Sequence, residues 1–544
     1  MKFSAILTSL LATLAPFKFD HSPLGSIRPG GWLRDQIQLS ADGLGGDLFD
    51  FYRYVARSTW LGGSYEYSEL HESAPYWFNY IRIVDAMHRF TKLVHSMLKD
   101  NFTGLLQDKS QEDNFDPFGF GLSRTHELPI SLMWLYENHP RDNGDVILET
   151  IDLMFEGGRV GGRDWTKFFV TGVFPEDGNF KTSGFTHGVN LAQGLRSELC
   201  MAVESMFSYA YLYRFHGANE FADRAELAAF NAFPAAMSPD WWSHQYVTQS
   251  NEPWSRNLTE NPFFNVVSYA NTYGLEPNFP CCTVNHPQGY PKYVASSYVY
   301  AEHDKIAHIL LGPTSLETEL QGKRVKETSF EFGVRVPHWT KHEATAQVGQ
   351  QRPVHLYPDS NGVHYTKVLP GVTKIIVKLP MDVHIVTRNE TVGVYYGPML
   401  YAADIAYKES AHQPLNWTDR TPLDDSESHP KAKDHALEPV SPWKFAIDPE
   451  TISVVTSSAQ DRNLPNPIFS RGGPPVSLYV DAYPIDWPVQ FDTAALPPIN
   501  PEVNPGTKTR IKLIPYGAAK LHIAQFPVAR LPKKTLENYT INKS

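Results

Sequence analysis

The sequence predicts a multidomain chain whose first half is helical and whose second half is built of β-strands. Three observations carry this. Apolar residues recur at three- and four-residue steps in the first half, and they alternate every second residue in the second. The chain also has 544 residues, more than one ordinary hydrophobic core organises, so roughly two to four domains are expected.

The elements follow in order. The opening "MKFSAILTSLLATLAPFKF" has a positive Lys2, a mostly apolar run from Phe3 to Leu14, and small residues at Thr13 and Ala15. It reads as a secretory signal peptide over residues 1–16, although Pro16 fits a cleavage site poorly. No later run is long and apolar enough to span a bilayer. "ELPISLMWLYENHP" (127–140) and "NGDVILETIDLMFEGG" (143–158) form one helical pair. "SELCMAVESMFSYAYLYRFHG" (197–217) and "NEFADRAELAAFNAF" (219–233) form another. In the first of these Leu199, Ala202, Met206, Tyr209, Ala210 and Tyr213 share the apolar stripe, and Gly217 stops the helix. Short loops between such pairs imply antiparallel neighbours.

After residue 300 the period changes. In "SFEFGVRVP" (329–337) Phe330, Phe332, Val334 and Val336 alternate, which predicts a half-buried strand. "KIAHILLGP" (305–313), "TKIIVKLP" (373–380), "TVGVYYGPMLYAA" (391–403) and "VSLYVDAYPIDW" (476–487) continue the pattern. Short strands with Gly and Pro punctuation suggest a sandwich. Residues 407–450 are polar and irregular, and 459–475 and 496–506 are rich in Pro, so these read as loops or linkers. Helices first and strands later means an all-helical domain followed by β domains.

Composition narrows the function. Hydrophobic residues make 42% and charged residues 20%, which supports a packed core rather than global disorder. A formal net charge of −11 argues against a general nucleic-acid binder. Aromatic residues make 13%, which suits a carbohydrate-facing cleft as well as plain core packing. Asn-x-Ser/Thr triplets at Asn101, Asn257, Asn389, Asn416, Asn538 and Asn542 agree with export.

The chain has only three cysteines. Two are adjacent, Cys281 and Cys282 in "NFPCCTVNHPQGYPK", and adjacent residues do not share one face of a helix or strand. The expectation is therefore an irregular loop that turns both thiols toward one object. The third, Cys200, opens a helix two residues after Glu198. If the two segments meet, three thiolates and a carboxylate come together, a donor set that zinc takes in tetrahedral geometry. Two other readings stay open on spacing alone. One is a disulfide between the adjacent pair with Cys200 free, and the other is three unrelated buried thiols.

A family resemblance bears on this choice. "SELCMAVESMFS", "NAFPAAMSPDWWSHQYVTQSNE" and "NFPCCTVNHPQGYPK" resemble the catalytic domain of glycoside hydrolase family 127, the β-L-arabinofuranosidase family. "PLGSIRPGGWLRDQIQLSADGL" and "YRYVARSTWLGGSYEYSELHESAPYWFN" are similar to its N-terminal part. "VLPGVTKIIVKLPMDVHIV" and "VGVYYGPMLYAADI" are similar to its β-sandwich part. The resemblance covers most of residues 17–405. It implies an (α/α)6 helical barrel followed by β-sandwich domains, with zinc held by Glu198, Cys200, Cys281 and Cys282. It also implies that Cys281 is the nucleophile of a retaining mechanism, attacking the anomeric carbon to form a thioglycosyl intermediate.

The resemblance fails at one place. Family members carry a long piece between "HGVN" and the Glu-x-Cys motif, and that piece holds the general acid. Here "TSGFTHGVNLAQGL" runs straight into "RSELC", so the general acid maps onto no position and the barrel is expected either to lack one helical hairpin or to close differently. Either a gene model lost an exon or the chain is a degenerate relative. His187 in "THGVN", His244 and Gln245 in "WWSHQYV", and His286 after the cysteine pair are candidate sugar contacts or supports of the ligands. Glu69 and Glu72 are acidic and near aromatics but are assigned no role.

The resulting expectation has residues 1–16 as leader, 17–300 as catalytic barrel, 301–406 as β-sandwich, and 407–544 as linker plus a second β-rich domain. The function is a zinc-dependent retaining glycosidase of β-L-arabinofuranosidase type. The alternative is a catalytically impaired glycan-binding homologue with a structural zinc site. The partner is a glycan or glycoside, with neither nucleic acid nor membrane. A homodimer is carried as an option, and the location is secreted, otherwise cytoplasmic.

Overall fold

The computed structural model describes residues 17–23, 25–58, 84–103, 105–106, 127–161, 198–263, 266–301, 304–320, 322–340, 343–388, 390–457 and 464–531. Residues 1–16, His187, Glu69, Glu72, the join at 194–197 and three of the sequons (Asn389, Asn538, Asn542) lie outside them.

The described helices precede the main sheets, as the change of period predicts. They are α1 (Gly31–Ala41), α2 (Leu44–Phe51), α3 (Arg53–Ala56), α4 (Val84–Lys99), α5 (Glu127–Asn138), α6 (Gly144–Val160), α7 (Leu199–His216), α8 (Asn219–Leu227), α9 (Phe233–Ala236), α10 (Cys281–Asn285) and α11 (Gly289–Ala295). Helices α5 and α6 are the first pair read from the sequence, and both pack on α4. Glu149 of α6 joins Lys99 (2.6 Å) and His95 (2.8 Å) of α4. Among the described residues no helix is long and apolar enough to cross a membrane.

Helix α7 buries Cys200, Val203, Met206, Ala210 and Tyr213 on a three- and four-residue repeat. It ends where Gly217 takes φ +74°, a left-handed conformation that costs glycine nothing, and donates its N–H to the Tyr213 carbonyl at 2.7 Å. Helix α8 continues through a π-helical turn at Ala228–Ala232 into α9. The widened turn coincides with Asn231, whose side chain leaves the helix. Its amide donates to the Leu227 and Pro398 carbonyls, and its oxygen accepts from the Leu400 N–H at 2.7 Å. One polar side chain thus ties the helical layer to the strand Met399–Ala403.

Five strands form the first sheet, in the order Asp20–His21, Tyr298–Ala301, Lys305–His308, Phe330–Arg335 and Val363–Val368. The pair Lys305–His308 and Phe330–Arg335 is parallel, and the other pairs are antiparallel. Contrary to the simple alternation, Phe330, Phe332 and Val334 are only half-buried, while Gly333 and Arg335 on the other face are fully covered. Arg335 is 0% exposed because it crosses to α8, where it meets Asp223 and Glu226. A larger seven-stranded sheet runs Val383–Arg388, Thr391–Tyr396, Met399–Ala403, Thr509–Pro515, Val476–Pro484 and Phe445–Thr456, with Gln525–Pro527 also paired to Thr391–Tyr396.

One expectation is corrected. Residues 407–450 are not an irregular linker. Tyr407–His412 and Asp434–Pro439 form an antiparallel hairpin, and the long strand Phe445–Thr456 begins within the same stretch. The hairpin strand "YKESAH" is largely exposed, so it lacks the alternation that marks a half-buried strand.

Candidate metal centre

Four side chains from two distant segments converge. Glu198 is the N-cap residue of α7 and Cys200 lies in its first turn. The extended segment His244–Val247 holds this end in place: Leu199 donates its N–H to the Tyr246 carbonyl at 3.0 Å, and Glu198 bridges to Val247. Cys281 and Cys282 open α10. The adjacent thiols therefore sit in a short helix rather than in the expected loop. Their side chains leave the axis about 100° apart, and α7 supplies the third sulfur between them and Glu198.

The ligand atoms of Glu198, Cys200, Cys281 and Cys282 all lie within 4.8 Å of one another, and all four residues are buried. Sγ of Cys200 is 3.8 Å from that of Cys281 and 3.1 Å from that of Cys282. No cysteine is in a disulfide. Thiolates bonded at about 2.3 Å to a tetrahedral ion stand about 3.8 Å apart, so the first spacing fits directly and the second needs a shift of well under 1 Å. Three sulfurs and one carboxylate oxygen, closely grouped and shut away from water, match zinc's preferred donors and number.

Electrostatics reinforces the fit. Burial pushes the Cys282 thiol well above its ordinary pKa, and hydrogen bonding with the Cys200 and Cys281 thiols adds to this. Tyr246, 2% exposed, is pushed up by burial and then by Glu198 and the three cysteines. A pocket so hostile to negative charge holds several ionised sulfurs only if a cation shares it.

A polar layer lies behind the cysteines. The Thr283 hydroxyl donates to the Leu275 carbonyl at 2.5 Å, and its oxygen lies 2.9 Å from Nε2 of His244. Nδ1 of the same ring lies 3.2 Å from the Gln245 carbonyl, so the one proton of a neutral imidazole serves one of the two contacts. Burial lowers its pKa to about 4, so the ring is neutral near pH 7. His286 places Nδ1 at 3.2 Å from the Cys282 carbonyl, and its ring centre is 5.8 Å from that of His244. Burial, with His244 beside it, lowers the His286 pKa to about 3. Both histidines are thus held against the cysteine segment.

Gln245 faces the other way. Its amide donates to Glu252 and to the Asn271 carbonyl (2.7 Å), and its oxygen accepts from Thr248 at 3.1 Å. Glu276, five residues before Cys281, is fully buried between the Trp417 N–H (3.0 Å) and Arg53 (3.6 Å). Burial raises its carboxyl to about 7 even though Arg53 opposes the shift. Tyr246, Thr283 and Glu276 were not singled out from the sequence. Tyr246 stands inside the quoted "WWSHQYV", and its nearness to the motif was the one signal available.

Comparison with known proteins supplies a family match and a shared fold. Residues 165–295 match the family described as beta-L-arabinofuranosidase, GH127 catalytic domain. A solved GH127 beta-arabinofuranosidase shares the fold with a TM-score of 0.56 at 12% identity, covering 95% of this chain and 98% of its own. A structure described as a glycoside hydrolase gives 0.55 at 11% identity, covering 94% and 98%. A GH127 beta-L-arabinofuranosidase from Geobacillus stearothermophilus T6 gives 0.51 at 12% identity, again covering 94% and 98%. No curated protein matches the chain. The family resemblance read from the motifs is borne out.

Proposed function

Starting from a glycoside hydrolase of the family 127 type, we propose a retaining β-L-arabinofuranosidase in which Glu198, Cys200, Cys281 and Cys282 hold zinc and Cys281 is the nucleophile. The gathering of these four side chains is the observation that carries the reading. In this reading most of residues 17–300 close an (α/α) barrel short of one hairpin, and the β part follows it, with one sheet joining strands from both sides of residue 406.

The ion supplies positive charge that keeps the buried sulfurs ionised at neutral pH. The chain's own residues do the rest. Cys281 forms the bond to the anomeric carbon as the glycosidic oxygen departs with the bond's electrons, and water later displaces the sulfur with net retention. Tyr246 walls the site beside the sulfurs. His244, through Thr283, fixes the turn of chain that carries the cysteine pair. His187 and His286 remain candidate supports of sugar or ligand.

Peptide mapping after treatment with a cysteine-reactive arabinofuranosyl analogue tests the assignment. The label is expected on Cys281. Label only on Cys282 or Cys200 reverses it.

A second reading, a glycan-binding homologue with a structural zinc site, is favoured by one observation. The family segment that carries the general acid has no counterpart between "HGVN" and Glu198. An acidic side chain about 5 Å from the Cys281 sulfur separates the two readings in favour of the enzyme.

A further inference from the structure

The stretch that reads as a linker reaches back to the cysteine segment. The hairpin of Tyr407–His412 and Asp434–Pro439 carries the loop 414–423, which closes on itself through the Leu423 N–H on the Pro414 carbonyl and the Asn416 N–H on the Thr421 carbonyl, both at 2.8 Å. We propose that Asp434 and Glu276 are positioning residues that brace residues 273–279 against this loop, and so fix the turn of chain that presents Cys281 and Cys282. The inference rests on reading the cysteine cluster as a metal centre.

The brace has two points of attachment. Asp434, 0% exposed, accepts the Leu275 N–H on one oxygen at 3.1 Å and the Leu415 N–H on the other at 3.0 Å. Glu276, also 0% exposed, accepts the Trp417 N–H at 3.0 Å. Helix α3 joins the same assembly. Arg53 lies 3.6 Å from Glu276 and 2.9 Å from Glu427, and the Trp417 indole donates to the Tyr54 hydroxyl at 2.6 Å. Gly274 leaves no slack, because a Cβ there would run into the Asp434 carboxylate.

The braced segment leads straight to the ligands. Leu275 gives its N–H to Asp434, and its carbonyl accepts from Thr283 of α10 at 2.5 Å. The cysteine helix therefore hangs on the residue that Asp434 holds. Phe279 lies between the Trp417 ring (centres 5.4 Å apart) and the Tyr246 ring (5.7 Å), and Tyr246 stands beside the sulfurs. Three rings and two hydrogen bonds thus connect the loop with the thiols. Groups that orient ligands from behind set how firmly a metal is held, typically 10–100-fold in affinity. The chemistry of Asp434 is demanding as well. Two N–H groups need two acceptor oxygens, whereas Asn offers one and turns an amide donor toward the other N–H.

The test uses the full chain at pH 8, above the value of about 7 to which burial raises both carboxyls, so that both are ionised. Metal-free, reduced protein is treated with iodoacetamide, and alkylation of Cys200, Cys281 and Cys282 is followed by peptide mass. Zinc affinity is measured separately by competition with a coloured chelator. Asp434→Asn removes one acceptor, and Gly274→Ala pushes a methyl group at the same carboxylate. Each should speed alkylation roughly tenfold and weaken zinc binding roughly tenfold. Glu276→Ala should follow them, while Glu276→Gln keeps an oxygen for its single N–H and should restore protection. Glu226→Gln, which loosens the fold at Arg335, controls for general instability and should leave the thiols as protected as in the parent. Three results overturn the proposal: the thiols of Asp434→Asn and Gly274→Ala react as slowly as the parent's, Glu276→Gln fails to restore protection, or Glu226→Gln exposes the thiols equally. Faster thiols in these variants of a chain that binds no zinc keep the brace and remove the metal reading instead.

Discussion

At the scale of single residues, the sulfur of Cys200 is the simplest point of attack. Serine keeps its size but not its soft donor; the zinc reading expects about one ion per parent molecule and its loss in Cys200→Ser. Elemental analysis of reduced, chelator-free protein decides it, and a parent chain that carries no metal sinks the zinc reading. A second residue reports on acid sensitivity. His308 stacks on Tyr298 with ring centres 4.5 Å apart, and burial lowers its pKa from 6.5 to about 4. The unfolded chain therefore binds this proton first. The stability His308 contributes is complete above about pH 6.5 and drains away as pH falls toward 4. His308→Phe keeps the stacked ring and removes the proton site. Measured by urea unfolding, the variant should gain on the parent by up to about 3 kcal/mol between pH 7 and pH 4. An unchanged difference across that range would mean the ring is not held neutral.

At the scale of elements, the join between helix and sheet rests on Arg335. It reaches from its strand into α8 and meets Asp223 and Glu226, each at 2.5 Å, with Arg335 and Glu226 both 0% exposed. Glu226→Gln leaves a guanidinium half-paired in a dry interior, so it should cost about 3–5 kcal/mol in denaturant midpoint experiments. A loss under about 1 kcal/mol would show that Asp223 alone suffices. This contact also shows why some of the structure was illegible. The strand itself could be read from its alternation, but a lone arginine within it looks like a solvent-facing residue. Only the tertiary partner reveals that the face bearing Arg335 is the covered one. The hairpin at 407–412 and 434–439 was missed for a related reason: its exposed strand has no apolar rhythm to read. By contrast α7 and the Glu-x-Cys and Cys-Cys motifs were legible, because a helix stripe and a cluster of rare thiols are local signals. Tyr246 and Thr283 matter through their neighbours alone, and no periodicity marks them.

At the scale of the whole molecule, the short join before Glu198, read against the family resemblance, carries a prediction about turnover. If no other residue stands in for the acid of the missing segment, protonation of the leaving group is unassisted, and such help is worth roughly 10²–10⁴-fold in rate. Nitrophenolate departs without that proton, whereas a sugar alkoxide does not. In that case the chain should give one slow burst of nitrophenol and then stall, because release from sulfur would also lack its base. Steady turnover of natural β-L-arabinofuranosides at ordinary glycosidase rates would show that another residue acts as the acid. The same centre has a mechanical side. Its ligands come from two segments, and Cys200 and Cys281 are 81 positions apart. With an ion bound, a molecule stretched from its ends cannot pay out the chain between them. At about 3.5 Å per extended residue, the clasp conceals roughly 280 Å of length, so force must break metal–sulfur bonds before the segment between the two cysteines can be drawn open.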